Sequence, residues 1–337
     1  MTRAFQDRPG IAVIGCGAWG RNHVRTLAAL GILSAVHDAD PLAARDAAEL
    51  GGVPGLALEE ILRDGTVSGV VIATPDATHA GIAARALEAG KHVLVEKPLA
   101  MSPADGAKLA ALAGAAGLTL MAGHILLYHP GFLRLRDLVR DGTLGTVRHI
   151  SSTRHHIARG APRHALWDLG PHDVSMVLEL TGALPESVHA LAAAPLHDAP
   201  PQQVDMLLSF ASGVSADISL SAIHPVKLHQ ITVAGSAAYG VFEDSLDWDE
   251  KVTVIRPGLE DPRPGAAPRR EPEALGAAEP LRREIEAFLG AIEGGRAPAS
   301  EVSEAVRVVV VLAAAEHSLT SGRTVILDRT GHDNLET

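Results

Sequence analysis

The sequence predicts an α/β protein: an N-terminal doubly wound parallel sheet, then a C-terminal α+β domain with an open, mostly antiparallel sheet. Two observations carry this reading. Up to about residue 122, short apolar runs alternate with alanine-rich helical stretches, as in consecutive βαβ units. Beyond Gly123 strand-like runs follow one another through tight turns, the texture of a meander. Domains are therefore expected at 1–122 and 123–337, with C-terminal helices packing back.

Taken in order, Ile11–Ile14 reads as a strand and Trp19–Leu30 as a helix. Leu33–His37 is the second strand, and Pro41–Leu50 a helix whose proline sits in a tolerated first-turn position. Gly69–Ala73, His92–Val95 and Leu118–Ala122 read as later strands, separated by helices at Thr78–Ala89 and Ser102–Ala116. Ser102 and Pro103 make a capping start for the last of these. In the second half, Thr146–His155, Val188–Ala194, Val204–Phe210, Val214–Leu220, Lys227–Ala234, Tyr239–Glu243 and Lys251–Ile255 are strand-like. Helices are expected at Phe132–Arg140, His172–Leu180, Leu281–Ile292 and Glu301–Ser318. Arg256–Pro280 holds six prolines and reads as a long loop.

Composition narrows the function. Hydrophobic residues are 47% of the 337, enough for a sizeable core, and a net charge of −11 argues against a nucleic-acid partner. No apolar run reaches the length of a membrane span; Val308–Ala315 is the longest candidate. Met1–Gly10 shows no signal-type stretch, and the single cysteine, Cys16, cannot form an internal disulfide. A cytoplasmic protein without membrane association is expected.

Gly15-Cys-Gly17-Ala18-Trp19-Gly20 follows a strand and opens a helix, and Asp38 ends the next strand. This is the dinucleotide fingerprint of a Rossmann domain. Gly15 allows the tight turn, Gly17 lets backbone approach a pyrophosphate, and Gly20 lets helix and strand pack closely. The helix N-terminus then offers unpaired N–H groups to the phosphates. Asp38 would accept from ribose hydroxyls, which favours NAD over NADP. The bland alternative is a tight βα turn without a ligand, with Asp38 a strand-end cap. Cys16 reads as packing, since no histidine or basic group stands beside it.

Two further strand ends face the same cleft: Ala73-Thr74-Pro75-Asp-Ala-Thr-His79 and Glu96-Lys97-Pro98. Lys97 there would polarise a substrate oxygen; otherwise it is a surface lysine held by Glu96. These motifs in this order, with Asp168-Leu-Gly-Pro-His172 and the C-terminal Ser321-Gly322-Arg323, resemble the glucose–fructose oxidoreductase/inositol dehydrogenase/MocA (Gfo/Idh/MocA) family over nearly the whole chain.

The resemblance implies NAD(P)-dependent oxidation or reduction at a sugar or polyol carbon. It implies cofactor contacts from Gly15, Gly17, Ala18, Trp19, Gly20, Asp38, Thr74, Pro75, His79, Glu96 and Lys97. It makes Lys97, often followed by a cis-proline, the active-site lysine, and Asp168 and His172 its acid/base pair. On a helix those two share a face, so the carboxylate can orient the imidazole while the imidazole takes the hydroxyl proton. Read without the resemblance, His172 is an ordinary residue at a helix start. Asp168, His172 and the His155-His156 pair also offer a metal reading, but no compact Cys/His spacing supports it and no metal is expected.

Arg154, Arg159 and Arg163 cluster with histidines just before Ala165-Leu-Trp167-Asp168. That cluster suits a substrate phosphate or carboxylate, or is a solvated loop or a contact to an acidic neighbouring subunit. The spelling Trp19-Gly20, Gly123-His124, Tyr128-His-Pro130 and Ala165–His172 resembles the subgroup that oxidises UDP-N-acetylhexosamines or their uronates at C3. Tyr128 and Trp167 would line the sugar pocket. Rival readings are a dehydrogenase or ketoreductase of a free polyol, inositol or antibiotic-pathway sugar, a glycosidase that recycles its NAD, and a non-catalytic NAD-binding protein. A homodimer or homotetramer through the second-domain sheet is expected.

Overall fold

The computed structural model describes residues 9–157, 164–193, 200–256, 269–294 and 297–327. The chain divides into two compact units: 1–125 with Glu279–Val309, and 126–278 with 310–337. The sequence reading placed 279–309 in the second domain with its C-terminal helices packing back; here Glu279–Val309 groups with the first unit.

The first unit is built on a parallel sheet of β1 (Gly10–Ile14), β2 (Leu33–His37), β3 (Val67–Ile72), β4 (His92–Val95) and β5 (Leu120–Ala122), in the order β2-β1-β3-β4-β5. Its central strands are continuous apolar runs, with Val13, Val70, Val71, Val93 and Leu94 fully buried, because helices cover both faces. The intervening helices are α1 (Gly20–Ala29), α2 (Pro41–Gly51), α3 (Leu58–Arg63), α4 (His79–Glu88) and α5 (Pro103–Ala116). Local chemistry sets their ends. Asp40 accepts from Leu42 N and Ser102 from Asp105 N, and Gly52 and Gly117 end their helices at φ of 66° and 64°. The order reverses beside β1, so the ends of β1 and β3 flank the crevice where such sheets bind ligands.

The second unit begins with a short 3-10 turn, part of Ile125–Tyr128, and α6 (Pro130–Arg140). Then come β6 (Val147–Ile157), α7 (Ala165–Thr181), β7 (Ser187–Ala192), β8 (Gln203–Ser209), β9 (Ser215–Ser221), β10 (Ile223–Gly235), β11 (Tyr239–Glu243), β12 (Val252–Arg256) and β13 (Arg269–Pro272). With β14 (Val325–Ile326) these strands form one nine-stranded sheet, ordered β13-β12-β11-β10-β6-β9-β8-β7-β14. All its pairings are antiparallel except β6 with β9. Alternation splits it cleanly: Ile150, Ser152 and Arg154 of β6 face inward with Ile218, Leu220, Ile231 and Val233. His149, Ser151, Thr153 and His155 share the other, half-exposed face. Helix α7 lies over β6, β8 and β9, and α6 over β11 and β12.

The last two helices are α8 (Pro280–Ile292) and α9 (Val302–Ser321). The structure differs from the sequence reading in α7, which starts seven residues before the expected His172. Pro171 lies inside it; a proline costs one backbone hydrogen bond there, and burial of nearly every neighbouring side chain outweighs that loss. Within the expected 256–280 loop, β13 adds to β12 as an edge strand. No helix among the described residues is long and apolar enough to cross a membrane.

Lys91 shows how the first unit closes. Its side chain is buried and its ammonium donates to the carbonyls of Asp64 and Val67, at 2.6 and 2.7 Å, stapling the α3–β3 connection to the start of β4. Burial lowers its pKa, with Asp64 opposing. Lys91→Met strands two carbonyls, and chemical denaturation should show a loss of about 1–3 kcal/mol.

Candidate active site

In the first unit, β1 runs directly into the glycine loop. Gly15 has a φ of 93°, and a Cβ there would lie 2.6 Å from the Ala73 carbonyl. A Cβ on Gly20 would lie 1.9 Å from the Gly15 oxygen. In front of Gly17, by contrast, nothing lies within 4 Å of a Cβ. That open space, beside a helix with neither a side-chain cap nor an acid in its first turn, is a fitting cradle for a pyrophosphate. Gly17, Ala18 and Trp19 are all exposed there.

Asp38 accepts from Cys16 N at 2.6 Å and from Asp40 N at 2.8 Å. Each carboxylate oxygen keeps a lone pair for a ribose hydroxyl, so the residue fits a role toward NAD while also fixing the loop. Burial, with Asp38 adding, pushes the Cys16 thiol up to about 11, and its sulfur donates to the His37 carbonyl. It is an inert packing residue.

Three of the expected cofactor contacts turn out to organise the site from within. The His79 ring is buried, 2.7 Å from the Pro98 carbonyl and 2.8 Å from the Thr74 carbonyl, so it clamps the loop after β3 to the loop after β4. Thr74 also accepts from the Thr78 hydroxyl, and Pro75 is exposed beside it. Glu96 is 8% exposed; its carboxylate accepts from the Trp19 indole, stands 2.7 Å from His23 Nε2, and lies 3.3 Å from the Lys97 amide. Lys97 is half-buried, and its bond to Pro98 is cis. His124 follows β5 and pairs with Glu304 at 2.7 Å.

In the second unit, α7 presents a selective face. From Ala165 to Leu178 only Asp168 and His172 keep partial exposure, four residues apart on one side. Behind them Asp173, 1% exposed, accepts from Ser152 at 2.7 Å and from Arg154 Nε at 2.5 Å.

Two expectations are corrected here. Arg154 is 6% exposed and its guanidinium is spent on Asp173, so it is no phosphate clamp at the surface. Arg159 and Arg163 lie outside the described residues. Trp167 is likewise buried, its indole donating to Glu316 at 2.9 Å, which makes it an anchor of α7 to α9. Tyr128 is buried just before His129, whose Nδ1 accepts from Gly131 N to cap α6.

The sheet adds residues the sequence reading did not assign. Register pairs Arg154 with His229 across β6 and β10. Arg154 Nη1 lies 3.3 Å from His229 Nδ1, and His229 Nε2 lies 3.4 Å from His156 Nδ1. Arginine can only donate, so His229 carries its proton on Nε2 and hands the hydrogen bond on to His156. Burial first, then Arg154, pushes His229 down to about 3. The same two effects lower His156, against the opposing charge of Asp168. His155, next in sequence, points to the other face and meets Ser219 at 2.9 Å. Neighbours on a strand cannot converge on one ion, and no group of three or more metal-ligating side chains gathers among the described residues.

The fold and the glycine loop define an oxidoreductase with an NAD-binding Rossmann domain. Residues 10–124 match the oxidoreductase family with the NAD-binding Rossmann fold, and residues 132–239 match the GFO/IDH/MocA C-terminal domain. A UDP-N-acetylglucosamine 3-dehydrogenase from Acidithiobacillus ferrooxidans is 30% identical over 295 residues, 84% of this chain and 88% of that one. A solved structure under that name superposes with a TM-score of 0.81 at 26% identity, covering 92% of this chain and 97% of that one. The GenD2 protein of gentamicin A biosynthesis, solved in complex with NAD, gives a TM-score of 0.80 at 28% identity, over 95% and 97% of the two chains. An inositol 2-dehydrogenase from Rhizobium meliloti is 28% identical over 333 residues, 93% of this chain and 97% of that one. The chain belongs to the Gfo/Idh/MocA family of oxidoreductases.

The buried ion pair behind α7 is directly testable. Asp173→Asn leaves the Arg154 charge enclosed without its counter-ion, and urea denaturation should show a loss of about 3 kcal/mol or more. A change under about 1 kcal/mol would mean that Arg154 reaches water.

Proposed function

We propose that this protein oxidises a secondary hydroxyl of a sugar with NAD, at C3 of a UDP-linked N-acetylhexosamine or its uronate. The observation that carries the substrate is the likeness to the UDP-N-acetylglucosamine 3-dehydrogenase, which runs through both units. When bound, NAD supplies a hydride acceptor.

In this reading Lys97 donates to the reacting oxygen and stabilises the negative charge that develops on it. His172 takes the hydroxyl proton as general base, and Asp168, one turn away on α7, orients its ring and favours the imidazolium that forms. The selective exposure of those two residues on the otherwise buried stretch Ala165–Leu178 supports their role. His156, coupled to Asp168 and tied through His229 to Arg154, extends the polar lining of that face.

A second reading, oxidation of a free cyclitol or polyol, is favoured by the burial of Arg154, which removes one candidate partner for a diphosphate, and by the inositol 2-dehydrogenase relative. We also infer a homodimer or homotetramer through the half-exposed face of the nine-stranded sheet. Leu191 and Leu207, 60% and 51% exposed, stand on that face, and sedimentation would read the assembly.

Purified protein given NAD should form NADH with UDP-N-acetylglucosamine or its uronate and not with free sugars or cyclitols. Turnover of free cyclitols would displace the nucleotide sugar while leaving the catalytic roles standing. Lys97→Ala and His172→Ala should each lower kcat by about 10²–10⁴-fold with NAD affinity kept. Near-full rate in either variant would remove that residue's role. Asp38→Ala should relax the preference for NAD over NADP, seen as a smaller ratio of the two KM values.

A further inference from the structure

One buried acid of the first unit has no part in the site described above. Glu284, on α8, is fully buried on the face that carries Leu281, Ile285 and Phe288. Neither of its carboxyl oxygens has a hydrogen-bond partner among the described residues. Burial, and then the charge of Glu96, push its pKa well above the usual carboxylate range, which favours the neutral acid.

A second orphan stands on α1, which packs against α8. His23 is fully buried; its Nε2 lies 2.7 Å from Glu96 Oε1, while its Nδ1 has no partner among the described residues. Glu96 already accepts from the Trp19 indole. With Glu96 an acceptor, His23 donates from Nε2, and in the neutral ring its Nδ1 is a bare lone pair. An undissociated carboxylic acid has one O–H to give, and a neutral imidazole of this tautomer has one lone pair to fill. Both groups answer to the same carboxylate, Glu96. A single buried water among Glu284 Oε1, Oε2 and His23 Nδ1 would have the polar partners that such waters need.

We propose that Glu284 is a positioning residue for the NAD site: as an undissociated acid it donates, through one internal water, to His23 Nδ1. The chain then runs from α8 through His23 to Glu96, and from Glu96 to the Trp19 indole of the glycine loop and the amide of Lys97. It fixes the two loops that meet the cofactor. The other charged groups of these elements are Arg282, Arg283 and Glu286 on α8, Arg21 and Arg25 on α1, Lys97 after β4, and the His124–Glu304 pair between the end of β5 and α9. Of all of these, only Glu96 opposes ionisation of Glu284 alongside burial. The proposal rests on NAD binding and not on the identity of the substrate.

The test is NAD affinity between about pH 6 and 9.5 for the wild type, Glu284→Gln and Glu284→Leu, with the ¹⁵N signal of His23 Nδ1 read in each. Glutamine still donates, so E284Q should bind NAD far better than E284L and lack the alkaline fall in affinity expected of the wild type. Leucine cannot donate; E284L should bind about tenfold more weakly, with its His23 Nδ1 signal shifted to that of a free lone pair. Thermal unfolding separates this from misfolding. A folded-state pKa raised above the unfolded one makes the wild type lose stability as pH rises above about 4.5, so the melting temperature of E284Q relative to the wild type should rise with pH from there.

Unchanged NAD affinity and an unchanged His23 signal in E284L would overturn the proposal, as would an alkaline fall that persists in E284Q. Should E284L fail to fold, the pH profile and His23 signal of E284Q decide alone. A wild type that bound no NAD would instead remove the cofactor assignment, and the His23 signal would still report whether the chain exists.

Discussion

Everything at the ligand end of the first unit depends on one buried carboxylate. Glu96 comes directly after β4, where a parallel strand hands the chain to the crevice, and it is nearly closed to water. Enclosing a carboxylate is costly unless it is thoroughly hydrogen-bonded. Here the partners come from the Trp19 indole at the head of α1, the His23 ring one turn further, and the amide of Lys97. Satisfying that one charge therefore dictates where the glycine loop ends and how the backbone of Lys97 leaves the sheet. Gly123 matters for the same reason: a Cβ there would sit 3.0 Å from a Glu96 oxygen. His79 completes the frame by bridging the carbonyls of Thr74 and Pro98.

The second unit solves the same problem with a pair of charges. Asp173 and Arg154 neutralise one another behind α7, and Ser152 takes up the remaining carboxylate oxygen. With the interior satisfied, the helix is free to be largely apolar and, from Ala165 to Leu178, to leave only Asp168 and His172 toward solvent. Arg154 also fixes the tautomer of His229 and, through it, that of His156. A buried arginine thus sets proton positions on the sheet surface next to α7, a role that formal charge alone would not suggest.

These two networks explain what could and could not be read from the sequence. The parallel sheet was legible because its strands are uninterrupted apolar runs and its glycine loop has a fixed spacing. Lys97, Asp168 and His172 were singled out by resemblance alone. The start of α7 was not, because Pro171 looks like a beginning and only the burial on both sides of it shows that the helix continues through. Arg154 looked like a surface residue because it sits in a run of basic residues; its inward direction follows from strand alternation and its partner lies on α7. The roles of His229, Asp173 and Glu284 depend on register and helix packing between residues far apart in sequence, and local pattern carries no trace of either.

The distribution of unsatisfied groups adds a last physical point. Through the middle of the parallel sheet, from Val13 to Val70 and Val93, the interior is wholly apolar. The buried atoms of the first unit without partners among the described residues are His23 Nδ1, His124 Nε2, both oxygens of Glu284 and Glu304 Oε1. His124 lies two residues past the end of β5, and the other groups belong to the helices α1, α8 and α9. Each such atom costs about 1–3 kcal/mol when left dry, so a core selected for stability alone would replace them with apolar side chains. Their retention around Glu96 and the end of β5 fits an interior that trades stability for the fixed placement of polar groups where the cofactor binds. The apolar middle of the sheet supplies the stability against which that cost is tolerated.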